Sequence, residues 1–251
     1  MERSEILNDL AAVFRWTARL NMHEGIANHL SVCLPDSNGS FYVNGTGMHF
    51  SKIKASDLIL IEGKKVEEMK KKPEIVDPTA INIHGTIHKK VPNAKCILHV
   101  HSKYATALSC LKDPTLPPID QNTMRFYNRV AVFNDFGGLG FEDESEKMAS
   151  CIGNHNTLLL ANHGILTAAP TVAQAFDDLF YFEKACETYI TALSTGKELN
   201  IANPEIAEKT AQDWENYSTN LGELHLKAIR SILDSSSNPK PPNSLLSATR
   251  L

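Results

Sequence analysis

The chain has 251 residues, 42% of them hydrophobic, which is enough to bury the core of one large domain with an appendage. Lys and Arg number 25 against 29 Asp and Glu, a formal net charge of −4 that excludes the basic face nucleic acid requires. No window approaches 18 consecutive apolar residues, the opening MERSEILNDLAAVF lacks the layout of a signal peptide, and five scattered cysteines without CxxC spacing fit neither a disulfide framework nor a cysteine zinc site. A soluble protein of the reducing cytoplasm, without membrane or nucleic-acid partners, is expected.

In chain order, Ser4 is placed to cap a first helix over about 4–20, because Ile6, Leu7, Leu10, Val13, Phe14 and Leu20 recur near helical spacing. The runs HLSVCLP, SFYVNG and DLILIE read as strands separated by Gly, Pro, Asn and Asp, and GKKVEEM reads as the hairpin partner of the last, so an antiparallel early sheet is predicted. After Pro78, TAINIHGTIHKKV predicts a helix, KCILHVH a strand, and SKYATALSCL a helix stopped near Pro114. A Pro-rich loop precedes RVAVF and TLLLANHGILTAA, both strand-like, and TVAQAFDDLFYFEKACETYITAL predicts a long helix ending before Gly196. Residues 201–234 read as an amphipathic helical extension with Trp214 and Tyr217 as anchors, and 235–251 has the composition of a disordered tail. The main domain is therefore expected over 1–200.

Chemistry first shows in AKCILHVHSKYA. Residues i and i+2 of a strand project from one face, about 6.6 Å apart, so His99 and His101 can converge on one ion. The bland alternative is a pair of polar residues where a strand leaves the core. His163 stands in the tight Asn-His-Gly turn of LLLANHGILTAA, with Gly164 suited to a positive φ, and it completes a three-histidine set for an open catalytic metal. His84 and His88 are spaced like a zinc-protease pair, but Gly85 follows the first histidine where that chemistry needs Glu. FGGLG, residues 136–140, reads as a bend, and the Lys runs near 64 and 70 as a solvated mixed-charge face. In RFY, Arg125 is suited to grip a carboxylate and Tyr127 to relay a proton.

Taken together, EGIANHLSV, NGTGMHFSKIKASDLILI, INIHGTIHKKVPNAKCILHVHS, RFYNRVAV and LLLANHGILTAAPTVAQAF resemble, in order, the class II aldolase and adducin-like family over roughly residues 4–195. The resemblance implies a three-layer α/β/α sandwich around a mainly antiparallel sheet, and a cyclic homotetramer with active sites near subunit contacts. It also implies a divalent metal on His99, His101 and His163. Zinc is the first choice, with manganese, iron and cobalt also compatible with three imidazoles.

The aldolases of this family carry a basic glutamate 19 residues before the first ligand histidine, where this chain has Ala80. Of the family's phosphate loops, NGTG keeps Thr46 and Gly47, but Asn28 and His29 replace a Gly-Asn pair, so a phosphorylated substrate is not implied. The Ala80 variant resembles the adducin-type branch. Asp77 and Tyr127 are the candidates for the missing proton acceptor, and Asn28, His29, Thr46, Gly47, His84 and Arg125 for substrate contact. The expected function is a metal-dependent lyase of aldolase type, cleaving a carbon–carbon bond or decarboxylating a small hydroxy-carbonyl or carboxylate compound through a metal-stabilised enolate. The alternative is a non-catalytic, adducin-like interaction module that retains the metal-site scaffold.

Overall fold

The structure, a computed structural model, describes residues 2–34, 39–135, 137–138, 143–217 and 220–237. Its centre is a seven-stranded sheet of β1 (His29–Cys33), β2 (Phe41–Val43), β3 (Ile59–Ile61), β4 (Cys96–Val100), β5 (Val130–Phe133), β6 (Thr157–Leu160) and β7 (Gly164–Ala169), in the order β3-β2-β1-β4-β7-β6-β5. All neighbours are antiparallel except β5 and β6. The helices are α1 (Arg3–Arg19), α2 (Val66–Met69), α3 (Pro78–Lys90), α4 (Lys103–Ser109), α5 (Gln121–Arg125), α6 (Asp143–Ile152), α7 (Val172–Leu193), α8 (Pro204–Glu215) and α9 (Leu221–Ser237).

Strand alternation divides these helices into two layers. Leu30 and Val32 of β1 and Cys96, Leu98 and Val100 of β4 pack with α1, α4, α7 and α9 in the larger core, where Phe14, Phe176, Phe182, Leu226 and Ile229 are buried. On the other face Ile97, Leu158, Leu160, Leu166 and Ala168 meet Ile83 and Ile87 of α3 and Met148 and Ile152 of α6. The three-layer α/β/α sandwich read from the sequence is the observed architecture. No described helix is long and apolar enough to cross a membrane.

The alternation has a chemical consequence. If Leu30 and Val32 face the larger core, His29, Ser31 and Cys33 must face α3, and the pairing of His29 with His99 sets these two histidines side by side on that face. In an apolar sandwich such a row is costly unless α3 supplies partners. His84 and His88, one turn apart on α3, supply them.

Several sequence expectations are corrected. GKKVEEM is not a strand: Gly63–Lys65 forms a 3-10 turn and Val66–Met69 a short helix. Its ion pairs Glu62 to Lys65, Glu67 to Lys70 and Glu68 to Lys72 have helical, not strand, spacing. The cap of α1 is Glu2 in place of Ser4. The extension is two helices, α8 and α9, with α9 burying Leu226 and Ile229 in the core shared with α1 and α7. Trp214 stacks within the chain over the Arg125 guanidinium, 5.5 Å away, while Tyr217 is exposed. The last fourteen residues of the expected tail, 238–251, and most of the FGGLG bend lie outside the described residues.

Candidate metal centre and active site

β4 ends at Val100, so His99 is the last inward side chain of the strand and His101 follows on the same side as the chain leaves the sheet. β6 and β7 form a hairpin whose turn presents His163 to both. The ring centroids are 4.9 Å apart for His99 and His163, 4.7 Å for His101 and His163, and 5.1 Å for His99 and His101. One ligand nitrogen from each lies within 4.8 Å of the others.

The turn achieves this differently from the sequence expectation. The positive φ belongs to Asn162, at 56°, and not to Gly164. Gly164 is required by a close approach instead: a Cβ there would lie 2.7 Å from the Val100 carbonyl oxygen and 3.1 Å from Cδ2 of His101. The absent side chain lets the β7 backbone press against the strand end that carries the other two histidines.

Hydrogen bonds fix which nitrogens face the centre. His99 Nδ1 donates to the Ile165 carbonyl at 3.0 Å, leaving Nε2 as its ligand atom. His101 Nδ1 donates to Glu24 Oε2 at 2.5 Å, and its Nε2 is buried with no hydrogen-bond partner. A buried imidazole nitrogen left open, opposite a ring nitrogen held by a carboxylate, is the donor arrangement of a metal-ligating histidine. Burial pushes His163 down to about 4 and His99 well below its ordinary range, with neighbouring imidazoles adding in the same direction. Neutral imidazole is the form that binds a metal, so the residues present fit a divalent ion.

Glu24 was not among the candidate residues. It sits 77 positions before His101, in a loop with no periodic pattern, and only the fold brings them together. Asn28 organises that loop: its Oδ1 accepts from the Glu24 amide at 2.7 Å and the His101 amide at 3.4 Å, while its Nδ2 is buried and unpartnered. Glu24→Gln is expected to weaken metal binding about 10–100-fold. Competition with a chromophoric chelator measures this, and an unchanged affinity would remove Glu24 from the centre.

The other candidates are distributed as follows. His29 is 4% exposed, its ring centroid 4.9 Å from that of His99, and burial pushes it down to about 4, with the nearby Asp77 charge acting against that shift. Asp77 caps α3 through Oδ1, which accepts from the Thr79 amide at 2.8 Å and its hydroxyl at 2.7 Å. His84 is fully buried with both ring nitrogens bonded, to His29 and Ser31, so it stands behind His29 and not at an open surface. Thr46 is exposed, its hydroxyl donating to the Pro73 carbonyl at 2.8 Å, and Gly47 follows with φ 76°. Arg125 is engaged within the chain: it bonds Asp177 at 2.9 Å and Asp178 at 3.0 Å, with the Tyr181 ring 4.8 Å away. Both bonds are made through Nη2. Tyr127 is half-buried just beyond α5, and its carbonyl accepts from Arg129 at 2.8 Å. Ala80 is 1% exposed among Phe41, Val43, Ile61, Val76 and Ile81.

A mixed sandwich with three imidazoles gathered at one end of its central strands defines a class of protein. The family described as Class II Aldolase and Adducin N-terminal domain matches residues 8–190, and the chain belongs to it. Among individual relatives, a Caulobacter vibrioides protein assigned to aldolase class 2 is 30% identical over 203 residues, covering 80% of this chain and 77% of that one. Decarboxylase NovR of Streptomyces niveus is 29% identical over 216 residues, covering 82% and 79%. Among solved structures, an aldolase II superfamily protein from Pseudomonas syringae superimposes with a TM-score of 0.83 at 26% identity, covering 94% of this chain and 95% of that one.

Proposed function

We propose that the chain is a divalent-metal lyase that cleaves a carbon–carbon bond, by aldol cleavage or decarboxylation, in a small hydroxy-carbonyl or carboxylate compound. The observation that carries this reading is the convergence of His99, His101 and His163 with the Nε2 atoms of His99 and His101 left for an ion. A bound ion there, zinc as first choice, supplies Lewis-acid polarisation of a substrate oxygen and stabilisation of the carbanion that either reaction generates. The decarboxylase among the relatives supports the second reaction type. The Asn28 amide offers an unpartnered donor beside His101, suited to a substrate oxygen. Oligomeric assembly, as a homotetramer, and residence in the cytoplasm complete the reading; the exposed Tyr217, Leu224 and Ile232 of the extension suit a subunit contact, and the five free cysteines suit a reducing compartment.

Proton transfer must come from a group other than residue 80. Asp77 lies near His29 at the head of α3, and Tyr127 follows α5. The purified chain, assayed with aldol and decarboxylation substrates with and without chelator, is expected to turn over only when metal is present. Asp77→Ala or Tyr127→Phe should lower kcat by about 10²–10⁴ for whichever is the acceptor, with metal content unchanged. One observation favours a second reading, a silent adducin-like module: Ala80 fills a closed apolar cluster. Full metal loading with no turnover on either substrate set would select it.

A further inference from the structure

Under α3 runs a continuous polar chain. His29 Nδ1 meets His84 Nε2 at 2.7 Å, His84 Nδ1 meets the Ser31 hydroxyl, Ser31 Oγ meets His88 Nε2 at 2.7 Å, and His88 Nδ1 meets the Ala94 carbonyl at 2.6 Å. His29, Ser31 and His84 are all within 4% of full burial. Metal binding does not need this row, and it crosses the interior from the metal-side end of β1 to the turn before β4.

Its direction follows from the far end. A carbonyl oxygen only accepts, so His88 donates through Nδ1 and its Nε2 is a lone pair. Ser31 therefore donates to His88 and must accept from His84 Nδ1. That leaves His84 Nε2 as a lone pair, which accepts from His29 Nδ1. Four bonds use four protons, the number that three neutral imidazoles and one hydroxyl carry between them. The nitrogen left over is His29 Nε2, and it has no proton. Cys33 Sγ, 3.2 Å from His88 Nδ1, lies within reach of the same N–H and leaves the direction unchanged.

We propose that His84, Ser31 and His88 are positioning residues that hold His29 in the Nδ1–H tautomer, so that its Nε2 accepts a hydrogen bond from a substrate hydroxyl beside the metal. The hydroxyl part rests on the lyase reading above; the tautomer part stands without it. An imidazole lone pair beside His99 welcomes a hydroxyl and repels a phosphate or carboxylate oxygen, which selects polyol or hydroxy-acid character at this position. Burial, which pushes His88 down to about 4, keeps the far end of the row neutral at ordinary pH.

Long-range ¹H–¹⁵N correlation spectra of the full-length, metal-free chain at neutral pH read the tautomers directly, with assignments from single His→Gln variants. His29, His84 and His88 should all carry the proton on Nδ1, the less common tautomer of free histidine. A proton on Nε2 of His29 overturns the proposal. Ser31→Ala cuts the row, so His84 and His29 should become tautomer mixtures while His88, held by the Ala94 carbonyl, does not change. A Ser31 that merely packs would leave all three spectra alone, and that result also overturns it. With zinc-loaded protein, glycolate should bind about tenfold more tightly than acetate, the fold-change of one added hydrogen bond, and Ser31→Ala should narrow that ratio. An equal ratio in the two proteins overturns the hydroxyl assignment. Absence of turnover with the ratio difference intact overturns the lyase reading and leaves this one standing.

Discussion

Replacing His99, His101 or His163 with alanine will strip the chain of divalent metal under conditions where the wild type holds one ion. Four-ligand zinc sites contribute about 10–16 kcal/mol, so an even share is about 3 kcal/mol per ligand, a loss on the order of 10²–10³ in affinity. That exceeds the 10–100-fold expected for Glu24→Gln, because Glu24 acts on the ion only through the orientation of His101. Gly164→Ala should fall with the ligand variants although it removes no ligand: the added methyl would lie 2.7 Å from the Val100 carbonyl and against the His101 ring, which forces the two halves of the site apart. Metal content after dialysis, followed by titration against a competing chelator, checks the order. Retention of wild-type affinity in His163→Ala would show that the hairpin turn is not part of the centre.

The legible parts of this site were those written at short range. The i, i+2 spacing of His99 and His101 survives folding because a strand keeps its alternation, and the ANHG turn announces itself by composition. What the sequence could not show was contact across the fold. Glu24 meets His101, and Ser31 meets His84 and His88, through pairings of 53 or more residues, and neither leaves a periodic trace. Arg125, read from the sequence as suited to a ligand carboxylate, shows the same limit: it pairs with Asp177 and Asp178 on α7, 52 and 53 positions further along the chain. The sheet order is likewise recoverable only in part: β1 with β2 and β6 with β7 follow from short connections, whereas β1 with β4 and β4 with β7 pair across long stretches of chain and the parallel pairing of β5 with β6 requires the crossover through α6.

Position 80 links these levels. At the third residue of α3, directly above the cluster of Phe41, Val43 and Ile61, alanine lets the head of the helix seat closely on β2 and β3. The same α3 then carries His84 and His88 down onto Ser31 and His29. Four and eight residues beyond Ala80, the same helix thus carries a row of polar groups leading back to His29, which pairs with His99.

Acid should unfold the metal-free chain well before its carboxylates are titrated. His88 is pushed down to about 4, mainly by burial, and His84 lies well below its ordinary value for the same reason. In the unfolded chain both return to about 6.5. Between these limits the unfolded state binds more protons than the folded one, so stability is fully present above pH 6.5 and is lost as the pH falls toward 4. Each such histidine adds a slope of up to ~1.4 kcal/mol per pH unit, and His88 alone should remove about 2 kcal/mol between pH 6.5 and pH 5. Asp9 and Asp178 oppose this, because burial raises their carboxyls above 3.8 and protonation, which begins at the raised folded values as the pH falls, favours the folded state. Urea midpoints measured with chelator at pH 7, 6 and 5 should fall at each step, and His88→Gln, which keeps a donor for the Ala94 carbonyl, should flatten the profile. Equal midpoints at pH 7 and 5 would mean that water reaches these rings in solution, and the polar row beneath α3 could not then be the closed, neutral chain that its hydrogen bonds describe.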